Sequence, residues 1–124
     1  MNKLFFTSFL ATLLVSSSAL AETWSVSERL VSGINYASGT WNVTISGDKI
    51  SGKADMQQDN GTLLNYKLDG SISGGVYKVA LIGRDDGKKE CVWTGKAAEG
   101  QESKIIAGEA VCEGSKLYIR GGVQ

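Results

Sequence analysis

Two cysteines, Cys91 and Cys112, are the residues of this chain with the most distinctive chemistry, and no histidine accompanies them. When residues 91–97 and 106–112 fold as an antiparallel hairpin about residues 101–102, one register places Cys91 directly opposite Cys112. Facing residues of such a pair lie roughly 4.5–5.5 Å apart at Cα, a separation that a disulfide can span. We therefore predict a Cys91–Cys112 disulfide, which would stabilise the fold by about 3 kcal/mol through loop closure.

Few side chains of this chain are suited to catalysis. The absence of histidine removes the commonest general base and the commonest zinc ligand. Asp85, Asp86 and Glu90 offer carboxylate oxygens to a cation such as Ca²⁺, but Asp-Asp-Gly is an ordinary turn sequence and supplies too few ligands. The sequence therefore predicts a protein that is not an enzyme and that has no metal or cofactor.

The N-terminus has the composition of a secretory signal peptide. Lys3 precedes an apolar run over residues 4–15, and small residues then lead to an Ala-x-Ala sequence that ends at Ala21. A membrane anchor is the alternative, but the apolar run is too short to span a bilayer. We expect cleavage after Ala21, a mature chain over residues 22–124 and a secreted or periplasmic location, which permits a disulfide.

From residue 39 onwards, apolar and polar residues alternate in runs that glycine-containing turns separate. The predicted strands are residues 40–46, 49–58, 62–73, 76–84, 88–97, 104–113 and 116–121. The turns at residues 47–48, 59–61, 74–75, 85–87 and 114–115 each set a register, and all of these registers turn one uncharged face inward. The sequence predicts an all-β fold: an antiparallel up-and-down meander that closes into a small barrel of seven to eight strands with one disulfide.

Residues 22–38 supply either an eighth strand or a short helix. Trp24 and Val26 alternate on one face, as in a strand, whereas the spacing of Val26 and Leu30 also suits a helix. We favour the strand, because a closed antiparallel meander needs an even number of strands. The predicted organisation is a signal peptide over residues 1–21, this N-terminal element over 22–38 and the meander over 39–124, with one domain after cleavage.

An apolar residue followed two positions later by glycine recurs along the predicted strands. The motif occurs as Ile50-x-Gly52, Leu68-x-Gly70, Trp93-x-Gly95, Ile106-x-Gly108 and Ile119-x-Gly121. These glycines are expected to point inward, where they either let the sheet coil tightly or leave space for a ligand.

Two candidate binding surfaces follow from the predicted registers. The first is the barrel interior, where small residues are surrounded by Trp41, Tyr66, Tyr77 and Trp93; the alternative is a packed core, since a barrel of this size can be filled by its own side chains. The second, which we call the outer patch, consists of Ala80, Val92, Val111 and Tyr118, expected in one cross-strand row on a polar outer face. The alternatives for the outer patch are cover for the N-terminal segment and isolated surface residues.

Gly39-Thr40-Trp41 at the start of the meander and Arg120 on its last strand resemble the Gly-x-Trp start and the C-terminal arginine of the calycin superfamily, the lipocalin and avidin type of barrel. The resemblance implies a ligand-binding barrel in which the arginine packs across the tryptophan. The positions matching those that hold biotin in avidins are Val43 and Gly47 here, so biotin binding is not implied. Lipocalins place eight strands after Gly-x-Trp, whereas only seven are predicted here, and the predicted register turns Arg120 outward.

Taken together, these patterns predict a secreted or periplasmic, non-enzymatic binding protein for a small, largely apolar ligand held in the barrel. The alternatives are a protein-binding module, such as an inhibitor of a secreted hydrolase, and a structural protein of the cell envelope. Basic and acidic residues balance at 13 each, unlike the concentrated positive charge of nucleic-acid-binding proteins. We therefore expect a small apolar ligand or a secreted protein as the partner, with no nucleic acid and no membrane span.

Overall fold

The computed structural model describes residues 18–98 and 104–124. Within these residues, eight β-strands follow one another along the chain. Their bounds are β1 (Leu20–Leu30), β2 (Asn35–Ser46), β3 (Lys49–Gln58), β4 (Leu63–Ser73), β5 (Val76–Ile82), β6 (Cys91–Ala97), β7 (Ile105–Cys112) and β8 (Ser115–Val123). Buried and exposed residues alternate along most of each strand, as in a sheet with one face on the core.

The strands form a closed antiparallel barrel in the order β1 to β8, in which β1 also pairs with β8. The predicted all-β up-and-down meander is confirmed. Trp24 on β1 lies opposite Trp41 on β2 and Val123 on β8. The N-terminal element is therefore the strand that closes the barrel, and the helix alternative is wrong.

Most hairpin registers follow from their turns as predicted, including those at residues 47–48, 59–61, 74–75 and 85–87. The register between β7 and β8 was predicted wrongly by two residues: Ala110 pairs with Leu117, not with Ile119. The reason lies in the turn, where Gly114 takes the second central position with φ 79°, a conformation that suits glycine. Because the shift is even, every side chain keeps its face.

The main differences from the predicted strand ends are at the start of β2 and on either side of residues 83–90. β2 begins at Asn35 rather than at residue 40, and β5 stops at Ile82 while β6 starts only at Cys91. The loop over residues 83–90 therefore replaces the predicted strand ends on either side of residues 85–87. Gly83 takes a left-handed φ of 69° directly after β5, which ends the alternation of the strand and turns the chain across the end of the barrel.

The core is built around three indole rings. Trp24, Trp41 and Trp93 each have 0% of their surface exposed. A side chain at Gly95 would collide with the indole of Trp93, and a Cβ at Gly121 would lie 2.9 Å from the indole of Trp24. The space above these two glycines is therefore occupied by the rings of the protein itself. Three other inward glycines let neighbouring backbones approach closely: Gly52, Gly70 and Gly108.

Candidate functional site

The disulfide lies at the junction of loop 83–90 with the sheet. Cys91 and Cys112 are bonded, with their Cα atoms 3.9 Å apart, which confirms the predicted pair. Both side chains are buried. The bond ties the first residue of β6 to the last residue of β7 and so holds the end of loop 83–90 against the barrel.

The structure brings together the four aromatic residues predicted for the interior. Ring centroids are 6.2 Å apart for Trp41 and Tyr66, 5.1 Å for Trp41 and Trp93, and 6.4 Å for Tyr77 and Trp93. Trp24 lies among them, 5.9 Å from Trp41 and 5.6 Å from Tyr77. Trp24 was not predicted as a member, although its alternation with Val26 already indicated an inward side chain.

Hydrogen bonds fix the orientation of the indoles. Trp93 donates its Nε1–H to the carbonyl oxygens of Gly108 and Ile119, at 3.2 and 3.1 Å. Trp41 donates to the hydroxyl of Tyr66 at 2.9 Å. A buried indole N–H without a partner would be costly, so these bonds disfavour alternative ring positions. The described part of the interior is a packed aromatic core.

A buried ionic cluster, formed by Glu28, Tyr36, Tyr66, Arg84 and Asp86, closes the barrel end at loop 83–90. The expectation that the inner face carries no charge is therefore wrong: both side chains of the Arg84–Glu28 ion pair have 0% exposure, and the N–O distance is 2.8 Å. Arg84 also pairs with Asp86 at 2.7 Å. The guanidinium carbon lies 4.6 Å from the ring centroid of Tyr66, a favourable position for a cation on an aromatic face.

Tyrosine hydroxyls complete the cluster. Tyr66 donates to Glu28 Oε2 at 2.6 Å, and Tyr36 donates to Asp86 Oδ2 at 2.8 Å. The backbone N–H of Lys88 donates to Asp86 Oδ1 at 3.1 Å. Within residues 18–98 and 104–124, no buried side-chain nitrogen or oxygen lacks a hydrogen-bond partner, so the cluster meets the condition under which buried charges are tolerated.

Local backbone features aim these side chains. Glu28 follows Trp24 and Val26 on the inward face of β1, a signal present in the sequence. The register between β1 and β2 shifts between Glu28 and Arg29, and such a bulge redirects a side chain, here Tyr36 at the start of β2. Arg84 follows the left-handed Gly83, which interrupts the alternation of the strand. Alternation alone therefore predicted an outward side chain, and no other sequence pattern placed Arg84 in the barrel.

The pKa values follow from burial and from these partners. Desolvation alone would raise the pKa of Asp86, but the hydrogen bonds from Arg84 and Tyr36 outweigh it and lower the pKa below its usual value. Desolvation would also lower the pKa of Arg84, which its bonds to Asp86 and Glu28 instead raise. Burial first, and then the hydrogen bond to Asp86, raise the pKa of Tyr36 to about 12. Tyr66 has a pKa raised well above its ordinary value by burial and by Glu28.

The two carboxylates of the buried ionic cluster are both engaged in ion pairs. The carboxylates of Glu28 and Asp86 accept bonds from Arg84, and the pair with Glu28 is sealed from solvent. Asp85 accepts a bond from the backbone N–H of Asn65 at 2.8 Å, so it anchors the loop to β4. No three acidic or cysteine side chains gather into a metal-binding group among the residues that the structure describes.

The outer patch lies on the opposite face of the same sheet. Ala80 pairs with Val92, and Val92 pairs with Val111, so these three form the predicted cross-strand row. Tyr118 was predicted to continue the row, but the shifted β7–β8 register pairs it with Glu109, and Val111 pairs with Lys116. Tyr118 is therefore a diagonal neighbour of Val111, a distance that an aromatic side chain can still bridge.

The outer patch is exposed in the described structure. Val92, Val111 and Tyr118 have 38%, 48% and 49% of their surface accessible. Ile82, at 48%, extends the apolar surface along β5, and a surface cleft of about 390 Å³ between β5 and loop 83–90 includes Ala80, Ile82 and Val92 in its lining. This surface can contact a partner without any rearrangement of the barrel.

Comparisons with protein-family models, curated proteins and solved structures found no match to this chain. The closed eight-stranded meander is consistent with a calycin-like topology. Arg120 is exposed and Trp41 is buried, as the predicted register indicated. No helix among the described residues is long and apolar enough to cross a membrane.

Proposed function

We propose that this protein is a non-catalytic binding protein that acts outside the cytoplasm and contacts a protein partner through the outer patch. One contrast supports the proposal most strongly. The interior aromatic residues contact one another with the indoles fully buried, whereas Val92 and Val111 lie side by side on the surface and remain substantially exposed. Exposed contiguous apolar residues on a polar face are typical of interaction surfaces.

The proposed location and the absence of catalysis have separate support. A disulfide is compatible with an extracytoplasmic compartment, and the N-terminal sequence has the pattern of a signal peptide. The chain contains no histidine, and the ion pair of Arg84 with Glu28 is closed to solvent. A substrate would reach neither of these buried side chains without opening the barrel.

The proposed contact is a face rather than an inserted loop. The turns at residues 47–48 and 74–75 are short, and loop 83–90 is held down by the bonds of Arg84 and Asp85. These features favour a flat contact over insertion into the cleft of a hydrolase. Kinship with the calycin barrels is a further part of the proposal, supported by the closed meander and by Gly39-Thr40-Trp41.

Binding of a small apolar ligand inside the barrel stays a prediction. A ligand at Trp41, Tyr66, Tyr77 and Trp93 would have to separate rings whose centroids are 5.1–6.4 Å apart. It would also have to accommodate the fixed indole of Trp93, which donates to two backbone carbonyls. The packed core disfavours this function relative to contact through the outer patch.

A capture experiment tests the proposal. The tagged protein is co-expressed with the untagged chain and recovered from its host. The proteins retained with it are then quantified for the native chain and for Val111→Asp. The change should remove a partner, because an interface core tolerates an unpaired charge poorly. Thr44→Asp is the matched control: Thr44 is an exposed residue of β2, on the far side of the barrel, and the substitution should leave capture unchanged.

A second arm addresses the interior. Ala110 is fully buried opposite Trp93, so Ala110→Leu should lower the unfolding free energy by about 1–3 kcal/mol through overpacking while the folded protein retains its partner. Equal capture by the native chain and Val111→Asp would contradict the proposal. So would saturable binding of a lipid-like probe, followed by tryptophan fluorescence, that Ala110→Leu abolishes and Val111→Asp leaves intact.

A further inference from the structure

The outer patch lies within a face on which the charged residues change sign from one side of β6 to the other. One cross-strand row runs over five strands, β4 to β8, as Asp69, Ala80, Val92, Val111 and Lys116. The next row runs over the same strands as Ser71, Lys78, Thr94, Glu109 and Tyr118. In both rows β6 carries a neutral residue, and an acid on one side of it corresponds to a base on the other.

We infer that the partner that fits this face is a second copy of the chain, related by a two-fold axis that lies in the interface along β6. This inference rests on the proposed function, because it names the partner of the same surface. A two-fold rotation about this axis places each residue of one copy against a residue of the second copy that lies the same number of strands away on the other side of β6. Val92 then faces Val92 of the second copy, and Ala80 faces the copy's Val111.

The charges match under the same operation. Asp69 faces Lys116 of the second copy, and Lys78 faces the copy's Glu109; each pair occurs twice because the contact is symmetric. All four side chains are exposed, and none of them forms an ion pair with another described residue of its own chain. Complementary rim charges of this kind fix the register of an interface and disfavour wrong partners.

The contact is expected to be small. Along the chain at β6, Glu90 precedes the two rows and Lys96 follows them. The two-fold axis would place each of these residues against the same residue of the second copy, so like charges would meet and the matching surface ends there. Small interfaces are characteristic of weak, transient association. We therefore expect a dimer that dissociates on dilution rather than a permanent one.

Charge reversal provides a direct test by sedimentation of protein with the disulfide intact, over a series from micromolar to millimolar concentration. Asp69→Lys places the new lysine against Lys116 of the second copy, and Lys116→Asp places two acids together. Because each symmetric dimer contains the altered pair twice, either variant should dimerise about tenfold more weakly than the native chain.

Mixing the two variants is the decisive arm. In a mixed dimer, both altered positions face a charge of opposite sign, so an equimolar mixture should regain native association although each variant alone has lost it. Lys78→Glu and Glu109→Lys form an independent second set with the same expectation. Asp48→Lys is the control, since this exposed turn residue between β2 and β3 makes the same charge change away from the face.

Several outcomes would overturn the inference. A native chain that stays monomeric throughout the series would do so, as would a dimer that neither charge set weakens or a mixture that does not recover. If the chain is monomeric but the capture experiment retains another protein in a manner that depends on Val111, the proposed function stands and only the identity of the partner is wrong. If neither association occurs, both fail.

Discussion

Arg84 donates to two carboxylates, Glu28 at 2.8 Å and Asp86 at 2.7 Å, in a site closed to solvent. Arg84→Met retains part of the apolar stem and removes every donor. The change would leave Glu28 buried without its cation, which typically costs about 3–5 kcal/mol of unfolding free energy. We predict a loss of this size in urea unfolding.

Lys89→Met is the matched control for Arg84→Met. Lys89 lies in the same loop and its side chain is exposed, so its replacement should change the unfolding free energy by less than about 0.5 kcal/mol. Similar losses for the two variants would mean that the buried ionic cluster does not stabilise this end of the barrel.

Tyr36 gives the cluster a signature at alkaline pH. Its folded pKa is raised from 10.0 to about 12, first by burial and then by the bond that its neutral hydroxyl donates to Asp86. A group with a raised folded pKa binds its proton more tightly in the folded state, so its contribution is complete below pH 10.0 and is lost as the pH rises towards about 12.

Tyr36→Phe should therefore be less stable than the native chain below pH 10.0, and the difference should shrink as the pH approaches about 12. Urea midpoints measured for both proteins across this interval provide the test. A difference that stays constant or widens with pH would show that the hydroxyl of Tyr36 does not remain protonated beside Asp86 in the folded protein.

At the scale of the elements, β6 presents one face to the indoles and the other to solvent. A side chain at Gly95 would enter the space of the Trp93 ring, which two hydrogen bonds hold in place. Gly95→Val should therefore lower the unfolding free energy by at least about 1–3 kcal/mol, as in other overpacked cores.

Lys96→Val tests whether the residue next to Gly95 lies on the outer face of β6. Lys96 is exposed, and a β-branched residue suits an exposed strand position, so this variant should remain close to the native chain in urea unfolding. A larger loss for Lys96→Val than for Gly95→Val would invert the assignment of the two faces.

Hairpin registers were predictable from this sequence because the glycine-containing turns limit the ways in which two strands can pair. The register at Gly114 could not be chosen in the same way, since turns at residues 113–114 and at 114–115 preserve the same inward face. Only the observed pairing of Cys112 with Ser115 distinguishes them. The disulfide followed from a separate hairpin and was unaffected.

The ionic cluster was less accessible from the sequence. Glu28 continues the alternation of Trp24 and Val26, so its inward direction could have been inferred. Arg84 could not, because its direction depends on the left-handed Gly83 and on partners from β1 and loop 83–90. Long-range ion pairs of this kind leave no periodic pattern, and alternation alone placed Arg84 on the outer face.

At the scale of the whole molecule, a small barrel is stabilised by three features: the aromatic core, the disulfide and the buried ionic cluster. The interior is occupied by side chains that hold one another in position, and a contiguous row of apolar residues lies on the outer face of β5 to β7. We therefore propose that function lies on the outside of the barrel and that the interior serves stability.

Native mass spectrometry of the protein purified from its own host tests this assignment most directly. We predict a species of twice the mass of a single chain, in equilibrium with the monomer and free of any small-molecule adduct. A monomer that carries a stoichiometric small molecule, released when the barrel is unfolded, would contradict this assignment and place the binding site among Trp41, Tyr66, Tyr77 and Trp93.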